Sequence, residues 1–122
     1  LGDFYVYERA SKKLLKIADF KIREHLFSPD GQKVAFAHQN NLFVKYLGSG
    51  KTTQITFDGE INKIINGIPD WVYEEEFSLV RAFDWNNDSD KIAFIINIIN
   101  IITRDLINWA KVFRESVFYK YL

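Results

Sequence analysis

The sequence predicts a mainly β chain built from antiparallel four-stranded units, and two observations carry that reading. Short runs rich in β-branched and aromatic residues alternate with turn-forming residues, which is how strands in a meander read. Several of those runs then recur at fixed spacings along the chain. With 122 residues, 48% of them hydrophobic and 16% aromatic, the chain is one small domain or part of a larger one, with enough apolar surface for a packed core.

Phe4-Tyr5-Val6-Tyr7 suits a first strand, being aromatic and β-branched. Ala10-Ser11-Lys12 reads as a turn and Leu14 to Ile17 as the returning strand. Ile22 to Phe27 comes next, closed by Ser28-Pro29-Asp30-Gly31. In that turn Pro presets φ, Asp bonds its own backbone and Gly takes positive φ. Lys33 to Ala37 follows as a strand, and Asn40-Asn41 tolerates a left-handed turn before Leu42 to Tyr46. Gly48-Ser49-Gly50 turns again into Thr52 to Thr56. The result is a four-stranded antiparallel meander of about 35 residues. A further β region is expected over about Leu79 to Ile96, and Val34, Phe36, Val44 and Ile92 are expected in the core.

Internal repetition organises these strands. At an offset of 38 residues, Phe4-Tyr5-Val6-Tyr7 aligns with Leu42-Phe43-Val44-Lys45, Lys13 with Lys51 and Ile17 with Ile55. At an offset of 58, Phe27-Ser28-Pro29-Asp30 aligns with Trp85-Asn86-Asn87-Asp88, and Lys33-Val34-Ala35-Phe36 with Lys91-Ile92-Ala93-Phe94. A four-stranded unit recurring at roughly 40 residues is the signature of a β-propeller blade. The offsets differ by 20 residues, which places an insertion between about Asp58 and Leu79. Residues 1–96 therefore read as a partial propeller carrying that insertion, and residues 97–122 as a divergent tail.

Inside the insertion lies Asp70-Trp71-Val72-Tyr73-Glu74-Glu75-Glu76-Phe77. Asp70 suits an N-cap, so a short acidic helix is expected from Trp71. Trp71 and Glu75 would share one face, Val72 and Glu76 the next. The helix dipole favours negative charge in its first turns, but three adjacent carboxylates repel, and a cation between two of them relieves that. The competing reading is a solvated acidic helix, as charge runs commonly are. Inserted segments on a rigid scaffold are where binding residues tend to sit. No metal or other cofactor is called for: neighbouring residues on a helix diverge by about 100° and converge poorly on one ion.

The stretches Phe27 to Phe36, Asn41 to Lys45 and Ile65 to Phe77 closely resemble the N-terminal propeller of the dipeptidyl peptidase IV family. The similarity runs from about Phe4 to Ile95, and the Asp-Trp-Val-Tyr-Glu-Glu-Glu run is its most specific part. The resemblance implies an eight-bladed propeller stacked on an α/β-hydrolase domain. It implies removal of dipeptides from N-termini with Pro or Ala in second place. It also implies that Glu75 and Glu76 bind the free α-amino group of a peptide substrate, supported by Asp70, Trp71, Tyr73 and Glu74. The family's arginine for the substrate carbonyl would fall upstream of Leu1. A periplasmic, secreted or cell-surface setting would follow from the same resemblance.

Other features narrow the function. No Gly-x-Ser-x-Gly elbow occurs, so the chain by itself is not expected to cleave peptides, and it would depend on the parent's catalytic domain. His25 and His38 have no such serine to serve and read as surface residues at strand ends. Sixteen basic and 16 acidic residues give zero net charge, so no nucleic-acid footprint is present. The absence of cysteine rules out disulfides and thiolate metal sites. No signal peptide is visible, and a start at Leu1 with no Met reads as a processed chain or an internal piece. The run Ile92 to Ile102 is broken by Asn97 and Asn100 and is too short to span a bilayer as a helix.

The tail departs from the blade repeat. Ile102, Leu106, Trp109, Ala110, Phe113 and Val117 recur at helical spacing, so Thr103 to about Tyr119 is expected as an amphipathic helix capped by Thr103. About two and a half blades leave open edges, so the tail helix, a neighbouring copy paired through those edges or that helix, or both are expected to cover them. The leading functional reading is a propeller fragment of a serine exopeptidase that recognises peptide N-termini. The alternative is a non-catalytic interaction module derived from such a propeller.

Overall fold

A computed structural model of the chain describes residues 1–69, 78, 80–101 and 111–121, with 99–101 and 111–121 described by backbone pairing alone. Every element among them is a strand, and every pairing is antiparallel. β1 (Tyr5–Glu8) and β2 (Lys13–Lys16) form a hairpin. β3 (Arg23–Phe27), β4 (Lys33–His38), β5 (Asn41–Tyr46) and β6 (Thr52–Gln54) form a four-stranded sheet in chain order. β7 (Ile64–Asn66), β8 (Phe83–Trp85), β9 (Lys91–Ile101) and β10 (Lys111–Tyr121) form a second.

The three units stack as layers. β4 explains how, because both its faces are covered. Val34 and Phe36 pack with Ile17 and Ile22 toward the β1–β2 hairpin, where the Phe36 and Phe43 rings stack at 5.6 Å. Ala35 and Ala37 pack the other way, with Leu42, Val44 and Ile55, against Phe83, Trp85, Ile92 and Phe94 of the second sheet. A strand covered on both sides has no reason to alternate polar and apolar residues, and Val34-Ala35-Phe36-Ala37 does not. The four expected core residues Val34, Phe36, Val44 and Ile92 are all at 0% exposure. Each such apolar side chain contributes roughly 1.5–3 kcal/mol on burial.

The two turns related by the 58-residue offset have matching chemistry. Ser28 N–H donates to the Lys33 carbonyl at 2.9 Å, and Asn86 N–H to the Lys91 carbonyl at 3.1 Å. Ser28 Oγ accepts from Lys33 N–H at 3.0 Å, and Asn86 Oδ1 from Lys91 N–H at 2.8 Å. Gly31 and Ser89 occupy equivalent positions at φ 70° and 60°. The turns also touch each other: Asp30 N–H donates to Ser89 Oγ at 3.0 Å, and Lys33 Nζ to the Ser89 carbonyl at 2.8 Å. Trp85 Nε1 donates to the Leu26 carbonyl at 3.1 Å, tying the same pair of sheets.

One expectation is corrected. The tail from Lys111 to Tyr121 is a strand, not a helix, paired with β9 from Lys111↔Ile101 to Tyr121↔Lys91. Val112, Phe113, Val117, Phe118, Tyr119 and Tyr121 carry strong β propensity, and an eleven-residue ladder overrides the helical spacing of Phe113 and Val117. The part of the expected helix at 103–110 lies outside the described residues. Within the expected insertion, Ile64–Asn66 is β7 and pairs with Ile96–Ile98 of β9. The short acidic helix lies outside the described residues.

Candidate functional site

The site's frame is one edge of β9. β8 pairs with Ile92–Phe94 and β7 with Ile96–Ile98, so two short strands share that edge end to end. Between them sits Ile95, where the backbones of three residues close a ring of three hydrogen bonds. Gly67 N–H donates to the Ile95 carbonyl at 2.9 Å, Ile95 N–H to the Ala82 carbonyl at 3.0 Å, and Ala82 N–H to the Gly67 carbonyl at 2.9 Å. Residues 68–81, which carry the acidic run, thus leave and rejoin the sheet at one point.

Gly67 is required there for two reasons. Its φ is 72°, which an L side chain rarely adopts, and a Cβ would lie 2.6 Å from Leu42 Cδ2 in the core. The next residues stay inside: Ile68 is 4% exposed, and Pro69 is buried immediately before Asp70. On the return, Ser78 and Val80 are exposed, and Arg81 donates from Nε to the Phe83 carbonyl at 3.2 Å.

A knot of asparagines anchors the outgoing limb. Asn66 is fully buried, and its Nδ2 donates to Asp58 Oδ1 at 2.9 Å, the Asn40 carbonyl at 3.1 Å and Asn41 Oδ1 at 3.4 Å. Asn41 Oδ1 also accepts from Thr56 Oγ1 at 3.0 Å and Gly59 N–H at 2.9 Å. The β4–β5 turn of one sheet is thereby tied to the strand that precedes the excursion. On β9, Asn97 Nδ2 donates to the Ile68 carbonyl at 3.2 Å. Among the described residues, the buried Oδ1 atoms of Asn66 and Asn97 have no hydrogen-bond partner.

The expected site residues Asp70, Trp71, Tyr73, Glu74, Glu75 and Glu76 lie outside the described residues. His38 ends β4, with its ring on Phe20 at 4.0 Å and Nδ1 at 2.8 Å from the Lys21 carbonyl. His25 is exposed within β3, beside Phe4 at 4.5 Å. Among the described residues, no group of acids and histidines is arranged to hold a metal ion. Sequence reasoning missed Gly67, Ala82, Asn66 and Asn97 as the frame. One signal was available, since Asn97 breaks an otherwise apolar run.

Three comparisons bear on this frame. Residues 1–97 match the family model for the dipeptidyl peptidase IV N-terminal region. The probable dipeptidyl-aminopeptidase B of Chaetomium globosum is 45% identical over 78 residues, 63% of this chain and 8% of that protein. Prolyl endopeptidase FAP of Homo sapiens is 37% identical over 94 residues, 75% of this chain and 12% of that protein. This chain thus spans 8–12% of the length of these two relatives. The crystal structure of Porphyromonas gingivalis dipeptidyl peptidase 4 superposes with a TM-score of 0.72 at 28% identity, over 93% of this chain and 17% of that one. Repeated antiparallel sheets, an excursion closed at Gly67 and Ala82, and a family match over residues 1–97 lead to one conclusion: the chain belongs to the dipeptidyl peptidase IV family, as part of its N-terminal propeller region.

Proposed function

We propose that this chain is a propeller segment of a dipeptidyl-peptidase-IV-like serine exopeptidase, and that Glu75 and Glu76 hold the free N-terminal amine of its peptide substrate. The observation that carries the reading is the Asp70–Phe77 run, placed on an excursion whose ends are joined at Gly67 and Ala82 in a chain of this family. A substrate ammonium has three donors, which two carboxylates and one further acceptor satisfy. Charge-assisted bonds of this kind contribute roughly 1.5–3 kcal/mol each. Asp70, Trp71, Tyr73 and Glu74 support the pair. Peptide-bond cleavage belongs to a hydrolase domain of the parent, because no nucleophile elbow occurs in these residues.

The test is made in the full-length parent. Glu75→Ala and Glu76→Ala should each lower kcat/KM for unblocked dipeptide substrates by roughly 10- to 100-fold, which corresponds to the loss of one such bond. A double variant that cleaves them as well as the wild type sinks the amine assignment and leaves a solvated acidic surface.

A further inference from the structure

We propose that Asn87 is an N-linked glycosylation site, modified on the nascent chain before the sheets pack. The proposal goes beyond the amine-binding reading and does not depend on it. Asn87-Asp88-Ser89 is the one Asn-x-Ser/Thr triplet in the 122 residues. With x other than Pro, that triplet is the acceptor pattern for N-linked sugar. It lies in the turn between β8 and β9, with Asn87 and Asp88 exposed.

The turn itself has no use for the triplet. Its counterpart 58 residues earlier reads Ser28-Pro29-Asp30-Gly31. There Pro presets φ at the first corner, and Gly takes a φ of 70° without strain. Asn87 stands in place of that Pro, and Ser89, at φ 60°, in place of that Gly. Each change gives up what suits the turn, and the two changed positions are the two that define the triplet. Ser89 has a second task, since its Oγ accepts from Asp30 N–H at 3.0 Å. Asn87 has none: among the described residues its side chain makes no hydrogen bond. The adjacent Asn86 holds the turn instead, its Oδ1 accepting from Asp90 N–H at 3.1 Å and Lys91 N–H at 2.8 Å.

A sugar on Asn87 also has room in a stack of sheets. Pro29, at the equivalent position, is exposed although β3–β6 is covered on both faces. The contact between the two turns runs through Asp30 and Lys33 and bypasses Pro29. A further sheet packed on the second in the same way leaves Asn87 in solvent. Timing follows from Ser89. It is 1% exposed and its hydroxyl is engaged, so an enzyme that reads Asn and hydroxyl together meets the triplet only before folding. The sugar donor is a lipid-linked oligosaccharide pyrophosphate. A bond forms between Asn87 Nδ2 and the sugar C1, and the bond from C1 to the pyrophosphate oxygen breaks. The lipid pyrophosphate leaves with that electron pair, and a base of the transferase takes the amide proton.

The test expresses the full-length parent in a eukaryotic cell behind a secretory signal sequence. Peptide N-glycosidase converts a glycosylated Asn87 to Asp, which mass spectrometry of the total cellular pool detects. Asn87 should carry the sugar, and Asn87→Gln and Ser89→Gly should each lose it. Ser89→Gly suits the left-handed backbone, so its loss of sugar is not a failure to fold. An unmodified Asn87 in the wild type overturns the proposal, and so does sugar that persists in Ser89→Gly. The order of events is tested with solubilised oligosaccharyltransferase and lipid-linked donor, given to the folded 122-residue chain and to a peptide of residues 84–92. The peptide should be modified and the folded chain should not. Equal rates overturn modification before folding, and an unmodified peptide removes the site.

Discussion

Ser89 shows how one residue can hold an unfavourable backbone for the sake of a contact. It sits at φ 60°, where its repeat partner is Gly31, yet its Oγ accepts from Asp30 N–H and its carbonyl from Lys33 Nζ. Left-handed backbone costs a non-glycine residue roughly 1 kcal/mol, about what one hydrogen bond contributes net. Ser89→Gly should therefore leave stability within about 0.5 kcal/mol, since relief of strain offsets the lost acceptor. Ser89→Ala keeps the strain and loses the acceptor, so it should destabilise by about 1 kcal/mol. Urea unfolding of the two variants decides it, and equal losses in both would remove the strain argument. Gly67 is the opposite case: strain and the approach of Leu42 leave no substitute.

β9 is the element on which the second sheet depends. Eleven residues long, it takes β10 along one edge and β7 and β8 in tandem along the other. Removing residues 103–122 would bare one whole edge of a strand rich in isoleucine, a template for pairing with other chains. The deletion variant should elute as oligomers or aggregate under conditions where the full chain does not, as light scattering would show. A soluble monomer would mean that this edge is protected in some other way. The helical spacing of the tail misleads because Phe113 and Val117 satisfy period 3.6 while the residues around them favour strands. Only the partner strand decides between the two.

At the scale of the whole molecule, three carboxyls link stability to acid. Lys21 and then Lys16 hold Asp3 below the ordinary carboxylate range. The Ser28 hydroxyl and the Gln32 N–H do the same for Asp30, and the Asn86 amide for Asp90. A carboxyl lowered in the folded state adds stability that is fully present above its ordinary value of 3.8 and is lost as pH falls through its lower folded value. Lys16, raised by Asp3, adds stability present below 10.5 and lost above it. Unfolding free energy should thus decline below about pH 4. Asp3→Asn, Asp30→Asn and Asp90→Asn combined should make the acid limb shallower. An unchanged limb would assign acid sensitivity to other groups.

The sequence alone determined the strands from β1 to β6, the repeat and the family. Those depend on local propensity, turn chemistry and spacing, as in Ser28-Pro29-Asp30-Gly31 and its counterpart at Asn86. Tertiary structure decided what depends on partners distant in the chain. Ile64–Asn66 is a strand because β9 offers it an edge, and Lys111–Tyr121 is one for the same reason. The ring of Gly67, Ile95 and Ala82 joins residues that nothing local connects, and Asn97 reads as a mere interruption of an apolar run until Ile68 is seen beneath its amide. A hydrogen bond across 29 residues leaves no periodic trace in the sequence, because its two ends have no local propensity in common.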